Sequence, residues 1–504
     1  MTDGEKPAAR GGLFLSQEAK ERILIRKPLS DILVETEKGP HLKRELGPFQ
    51  LTALGVGAIV GTGIFVLIGP ATGNFAGPSI IVSMLIAGLT CALVALCYTE
   101  LASMIPVAGS AYTYSYATLG EFFAWVIGWD LILEYAVGAV AVAIGWSGYF
   151  YNLTAGLGMP WAITHPPGVC DPLGVAGCGV INLAAIGIVL LLAFMLGRGV
   201  KEAVNFNTVI VLIKLCALAI FVAVGLFAVS GASFSPFQPM GWGGTFTGAA
   251  LIFFAFIGFD AVSTAAEEAK DPAKDMKTAI LGSLGIASIV YISVAFVLVG
   301  MLTPTWGLAA LGSSPSALAD ALGQHGQTAV AAIVAGGALA AITSVLLVSL
   351  YAQPRLFFAL ARDGLLHDRF AQLDPKTHVP KKTIYLTGFI VAFFAGFVPI
   401  GEAAELTNIG TLFAFVLVGI GIIWLRRHEP NAVRPFRVPL FPIVPIGAIA
   451  MSLVLMLSLP FVTWMRFGLW LMAGLWIYAT YGLFHSRLAA RKYGIPGPAL
   501  PPPP

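Results

Sequence analysis

Between Pro48 and Ala71 the chain runs the width of a bilayer without one ionisable side chain. A hydrocarbon core roughly 30 Å thick takes about 20 apolar residues per helix, so this stretch is long enough to span it. The feature recurs. Allowing for breaks at Pro and Gly, the predicted spans are 48–71, 78–105, 119–151, 179–198, 204–230, 243–268, 277–302, 327–358, 383–399, 405–425, 440–460 and 467–486. A chain that is 57% hydrophobic and 11% charged is no soluble domain of ordinary composition. Helix-length runs dominate, and no segment shows the ten-residue alternation of an outer-membrane barrel. The expected fold class is an all-α integral membrane protein with twelve transmembrane helices.

Charge placement orients such a chain, because Lys and Arg near span ends are retained on the cytoplasmic side. Nine of the 29 basic residues precede the first span, and Arg198 and Lys201 lie between spans 4 and 5. Lys270, Lys274 and Lys277 lie between 6 and 7, six more run from Arg355 to Lys382, four from Arg426 to Arg437, and Arg487, Arg491 and Lys492 close the set. That places 27 on one side, with Arg466 opposite and Lys214 alone in mid-span. Both termini are therefore expected in the cytoplasm, with the chain multi-pass in the cell's inner (plasma) membrane. The first 47 residues hold no apolar core for a signal peptide, so no cleavage is expected.

Cysteine and histidine usage argues against a metal or redox centre. Cys91, Cys97 and Cys216 fall in apolar spans, where a small core side chain is the ordinary reading. Cys170 and Cys178 share an outside loop, either paired or free. There is no CxxC motif, and the seven histidines fall in loops or tails.

Spans 1 and 6 carry matching oddities. Span 1 contains Gly61-Thr62-Gly63, and span 6 contains Phe254-Ala255-Phe256-Ile257-Gly258-Phe259-Asp260. Each opens a block of five spans, and five crossings bring the second block in from the opposite face. The predicted organisation is a polar amino-terminal segment (1–47), a first five-helix repeat (48–230) and an inverted second repeat (243–425). Helices 11 and 12 (440–486) and a Pro-rich tail (487–504) follow. Interrupted segments at corresponding positions of two halves point to a transporter binding site.

Glycine weakens a helix by about 1 kcal/mol relative to Ala and reaches conformations that other residues avoid, so Gly61-Thr62-Gly63 predicts a break in span 1. Irregular backbone is tolerated at membrane depth only where it faces protein or a water-filled cavity. Such a break frees N–H groups at the start of the second half-helix, where the helix dipole favours a carboxylate. Freed carbonyls at the break in span 6 would accept from an ammonium group. Close helix packing accounts equally well for Gly57 and Gly61, since small residues four apart let helices approach; Gly63 is the stronger binding candidate. The run GVGAIVG lacks dinucleotide-binding spacing and no strand precedes it.

Four ionisable residues are read as lying in the hydrocarbon region, where each is costly and hence a functional candidate. Asp130 and Glu134, four apart, share a face of span 3; Asp130 reads as a solvated residue near the membrane edge and Glu134 as the deeper, functional one. Lys214, flanked by apolar residues, sits too deep to snorkel comfortably. It is either a proton carrier, since desolvation lowers a lysine's pKa, or a fixed cation standing where sodium would bind. Asp260 reads as a structural support of the second break. Glu267 and Glu268 are expected to pair with Lys270 or an inside arginine.

The stretches GAIVGTGIF (57–65), PVAGSAYTYSYATLGEF (106–122), GWDLILEYAVG (128–138), IVLIK (210–214), FFAFIGFDAVSTAAEEAKDP (253–272) and AELTNIGTLFAF (404–415) resemble the amino acid, polyamine and organocation transporter superfamily, within it the cationic amino acid transporter branch. The likeness runs in order from about residue 45 to 485. It implies a leucine-transporter-type fold, two inverted five-helix repeats plus two extra helices, with helices 1 and 6 unwound around substrate. Position by position, it implies that the amides of Thr62 and Gly63 meet an α-carboxylate. The carbonyls of Ile59, Phe254, Ala255 and Ile257 would meet an α-ammonium, and Phe254 would close one side. It further implies that Lys214 replaces a sodium site in proton-coupled members, that Glu134 faces a basic side chain, and that Ser349 is small where lysine and arginine are accepted. Eukaryotic cationic members have fourteen helices, so substrate identity does not follow from them.

The expectation is therefore a secondary transporter that carries a cationic or broad range of L-amino acids inward with a proton, by alternating access. Alternatives are a broad-range neutral transporter and an amino acid or polyamine exchanger. No enzymatic activity, cofactor, metal or nucleic-acid partner is expected, and sodium is disfavoured as coupling ion. The expected partners are the amino acid, the lipid bilayer and, as an open question, a small accessory membrane subunit, with the chain a monomer or weak oligomer.

Overall fold

The computed structural model describes residues 25–26, 46–105, 110–171, 177–198, 203–264, 266, 269–303, 307–314, 316–372, 374 and 380–493. Glu267 and Glu268, most of the amino-terminal segment and most of the Pro-rich tail lie outside these residues. The described chain is helical, with only isolated bridges at Leu46–Ala269 and Cys170–Cys178 besides. Its main helices are α1 (Pro48–Ile59), α2 (Ile80–Met104), α3 (Glu121–Thr154), α4 (Leu183–Arg198), α5 (Ala203–Gly225) and α6 (Gly241–Ile252). They continue as α7 (Pro272–Gly300), α8 (Thr328–Arg362), α9 (Lys381–Phe397), α10 (Ile400–His428), α11 (Ile443–Leu457) and α12 (Phe461–Ile477).

Seven helical runs among the described residues are long and apolar enough to cross a membrane, one of them the 57-residue run Pro48–Met104 that covers two predicted spans. Predicted spans 4, 6, 9 and 11 are met by α4, α6, α9 and α11, each no longer than 17 residues. Length and composition alone thus yield seven crossings instead of twelve. The shortfall arises where a break shortens a helix or where one continuous run covers two spans.

The helix contacts have an internal order. Helix α3 packs on α8, α2 on α7, and α4 on α9. Helix α1 lies against α7 and α5, as α6 lies against α2 and α10; α3 meets α10, as α8 meets α5; and α5 touches α7, as α10 touches α2. Exchanging each of the first five helices with the one five later maps this set of contacts onto itself.

Both predicted breaks exist. Helix α1 stops at Ile59, Val60 is extended (φ −77°, ψ 100°), and the chain resumes as a π-turn over Gly63–Leu67. Helix α6 tightens into a 3-10 turn at Phe253–Phe256, Ile257 is extended (φ −63°, ψ 139°), and Gly258 has φ 117°, which a side chain would resist. The breaks touch: a Cβ on Gly63 would lie 2.1 Å from the Ala255 Cα, and one on Gly258 would lie 2.8 Å from the Ala58 carbonyl. Gly61 makes room for Val345 of α8, 2.6 Å from an added Cβ, and it also lines the hollow between the breaks.

Freed backbone groups at membrane depth must find internal partners, and neighbouring helices supply them. Lys214 of α5 donates its ammonium to the Gly57 carbonyl, and Asn408 of α10 donates to the Ala250 and Leu251 carbonyls at 2.8 and 3.0 Å. Helices α5 and α10 exchange under the same mapping. Tyr149 of α3 donates to the Phe65 carbonyl at 2.6 Å.

Among the loops, Cys170 and Cys178 form a disulfide, which resolves the alternative left open by the sequence. Cys216 is exposed on α5 instead of buried in the core, whereas Cys91 and Cys97 are buried.

Candidate functional site

Between the two breaks lies a small hollow of about 90 Å³. Ile59, Thr62 and Gly63 line it from the first break, and Phe254, Ile257, Gly258 and Asp260 from the second. Helix α3 contributes Glu134, Tyr135, Gly138 and Val142, α8 contributes Val345, Val348 and Ser349, and α10 contributes Thr407. The wall is mainly apolar, with two buried carboxyls, at Glu134 and Asp260. The Thr62 hydroxyl is buried with no hydrogen-bond partner among the described residues.

Seven of the sequence-derived binding candidates, Ile59, Thr62, Gly63, Phe254, Ile257, Glu134 and Ser349, thus meet at one hollow. Ala255 does not line it. Its Cα and Cβ pack against Gly63, and its carbonyl accepts from the Tyr291 hydroxyl at 2.8 Å. The same hydroxyl donates to the Ile59 carbonyl at 2.9 Å, so Tyr291 of α7 ties the two broken helices together. The Phe254 carbonyl accepts from the Ile257 amide at 3.3 Å, so three of the four carbonyls assigned to an ammonium are already engaged. A carbonyl has two lone pairs and can accept twice.

Lys214 lies outside the hollow, 0% exposed, and reaches α1 instead of either surface, which excludes snorkelling. Asp130 corrects its reading as a solvated edge residue. It is 0% exposed, neither carboxyl oxygen has a hydrogen-bond partner among the described residues, and it packs beside Gly410 of α10. The Asp260 backbone carbonyl accepts from the Ser263 amide and hydroxyl, and Asp260 also lines the hollow.

The sequence reading missed four residues. Tyr291 and Asn408 look like packing residues within apolar runs, and only the known position of a break would have singled them out. Glu100 and Glu121 fall inside predicted spans 78–105 and 119–151 and carried a signal that went unused. Glu100 is fully buried and takes both Arg426 (3.0 and 2.5 Å) and the Val438 amide (2.7 Å), with Arg434 at 3.2 Å. Glu121 accepts from Tyr116, Tyr478 and Ser486.

An apolar bundle, helical through its described residues, with two broken helices meeting at a small hollow has the architecture of a membrane permease. The chain belongs to the amino acid permease family, whose sequence pattern matches residues 46–484. It is 45% identical to the methylthioribose transporter of Bacillus subtilis (strain 168) over 92% of this chain and 99% of that protein. It is 43% identical to the branched-chain amino acid permease BcaP of the same organism, over 93% and 99%. To the vacuolar cationic amino acid transporter 4 of Arabidopsis thaliana it is 35% identical, over 82% of this chain and 68% of that protein.

Proposed function

We propose that the chain is a secondary active transporter that moves an amino acid into the cell together with a proton by alternating access, in a leucine-transporter-type arrangement of two inverted five-helix repeats plus α11 and α12. The observation that carries this is the meeting of both breaks at one hollow, with the Thr62 hydroxyl buried there and unpartnered. A buried polar atom without a partner costs free energy that a ligand would recover. The amino end of the helix resuming at Thr62 would take the α-carboxylate, and carbonyls of Ile59, Phe254 and Ile257 the α-ammonium. The exchange symmetry of the helix contacts supports the inverted repeat.

For the side chain, the apolar wall of Ile257, Val142, Val345 and Val348 favours a neutral aliphatic amino acid, and the similarity to a branched-chain permease agrees with it. A second reading, a cationic substrate, rests on Glu134 facing the hollow beside Ser349. Competition of labelled leucine uptake by arginine separates the two. Lys214 serves as the proton-linked group, its ammonium occupying a place that would otherwise suit sodium. No cofactor takes part, and the working unit is a monomer or weak oligomer in the plasma membrane with both termini inside, with or without a small accessory subunit.

Purified protein in liposomes should take up amino acid when an inward proton gradient is imposed, with sodium without effect. The variant Lys214→Ala should lose that dependence. Gradient-driven uptake unchanged in Lys214→Ala would remove the coupling assignment and leave the transport assignment standing.

A further inference from the structure

A second, larger hollow of about 360 Å³ opens at the basic end of the bundle, far from the breaks in sequence and built by other helices. It is lined by Arg369, Phe370 and Gln372 from the turn after α8 and by Lys382, Thr383 and Leu386 from the start of α9. Both cationic side chains are in exposed residues. Lys382 donates to the neutral Gln372 amide oxygen at 3.3 Å, and the nearby Asp368 is already paired with Arg487 at 3.1 Å.

Local electrostatics make this corner unfavourable for cations alone. Helix α9 opens with Lys381 and Lys382, has no acidic residue in its first turn and no side-chain cap. The amino end of a helix carries partial positive charge and disfavours cations, so two lysines and a facing arginine there together select for an anion. Below the hollow the exposed face of α9 carries Leu386, Phe389, Ile390, Phe393, Phe394 and Phe397, with Tyr385 as its one hydroxyl-bearing side chain. An ionic head at the rim and a hydrocarbon face beneath it match one kind of molecule.

We propose that this hollow is a binding site for the headgroup of an anionic phospholipid, whose acyl chains lie along the outer face of α9. Arg369 and Lys382 clamp the phosphate, Arg369 through its planar fork and Lys382 as a point charge; Thr383 adds its hydroxyl, and Leu386 meets the start of the chains. Basic pockets on the cytoplasmic side of membrane proteins recognise anionic headgroups on these grounds. The site stands apart from the transport reading, because none of its residues touches the breaks.

The test is thermal unfolding of the full chain in neutral detergent, titrated with short-chain phosphatidylglycerol, phosphatidylcholine or glycerol phosphate. Phosphatidylglycerol should raise the midpoint saturably, and phosphatidylcholine at equal concentration should not. The pair Arg369→Gln with Lys382→Gln should weaken apparent affinity roughly thirtyfold, at about one factor of five per charge near a membrane surface. The pair Arg427→Gln with Arg437→Gln, exposed at the same end, should leave it unchanged, and Lys382→Arg should preserve it. Equal shifts in all variants would overturn the site. Equal protection by glycerol phosphate would overturn the lipid assignment in favour of a free-anion site. Loss of uptake with the lipid shift intact would bear on the transport reading alone.

Discussion

Replacing Tyr291 by Phe removes one oxygen and little else, and it probes whether the two breaks act as one unit. The Tyr291 hydroxyl has a single proton and shares it between the Ile59 carbonyl at 2.9 Å and the Ala255 carbonyl at 2.8 Å. A buried, neutral hydrogen bond contributes about 1 kcal/mol net, and an acceptor left unsatisfied costs about 1–3 kcal/mol. Because the proton is shared, the loss should come to about 1–3 kcal/mol, not twice that. The aromatic ring keeps its edge contact with Phe256, 5.1 Å between centroids, so packing is conserved. If the hydroxyl holds both carbonyls in place for substrate, part of this loss appears in the complex, and the uptake KM should rise roughly tenfold, the factor set by 1.4 kcal/mol. Thermal unfolding in detergent should show a lower midpoint and a smaller ligand-induced rise. Uptake of labelled leucine into liposomes, at a fixed proton gradient, reads KM and maximal rate separately. A lowered KM would mean that Tyr291 competes with the substrate ammonium, and an unchanged KM with unchanged midpoint would refute the claim that the hydroxyl couples the breaks.

Gly63→Ala places a methyl group 2.1 Å from the Ala255 Cα, so the broken helices must part and uptake should fall below detection, whereas Gly187→Ala, with open space around it, should be tolerated. Glu134→Gln should abolish inhibition of uptake by arginine while leaving leucine uptake within about twofold; loss of both would make Glu134 structural. Glu100→Gln leaves Arg426 and Arg434 buried beside a neutral amide and should destabilise by about 3–5 kcal/mol, read as a lower unfolding midpoint. Burial beside Trp161, rings 3.5 Å apart, pushes the His165 imidazole down to about 4 in the outside loop. The folded state therefore resists a proton that the unfolded chain accepts near pH 6.5, so stability is complete above that pH and falls as pH drops towards 4. At about 1.4 kcal/mol per unit the loss reaches about 3 kcal/mol, and His165→Phe should flatten this dependence in unfolding scans at pH 4–7.

The breaks and their surroundings were legible to the extent that their chemistry is unusual for lipid. Glycines clustered in mid-span, a Gly-Phe-Asp run and a lone lysine each violate what an apolar helix needs, so Gly63, Ile257 and Lys214 stood out. Ala255 and Tyr291 violate nothing. An alanine reads alike whether it faces substrate or a neighbouring glycine, and a tyrosine in an apolar run reads as packing until its hydroxyl has a partner. Asp130 lies near a span's predicted end, and nearness to that end does not imply nearness to water. Helix α10, which sets Gly410 against it, lies almost 300 residues further along the chain.

The sequence by itself determined that the chain is helical, apolar and interrupted twice, because hydrophobic run length and glycine content act locally on each segment. Only the tertiary structure decided that the two interruptions touch, that Tyr291, Lys214 and Asn408 satisfy their freed carbonyls, and that Asp130 is sealed from solvent. Those outcomes depend on which helices become neighbours, and distance along a chain carries no information about the direction in which a buried hydrogen bond finds its partner.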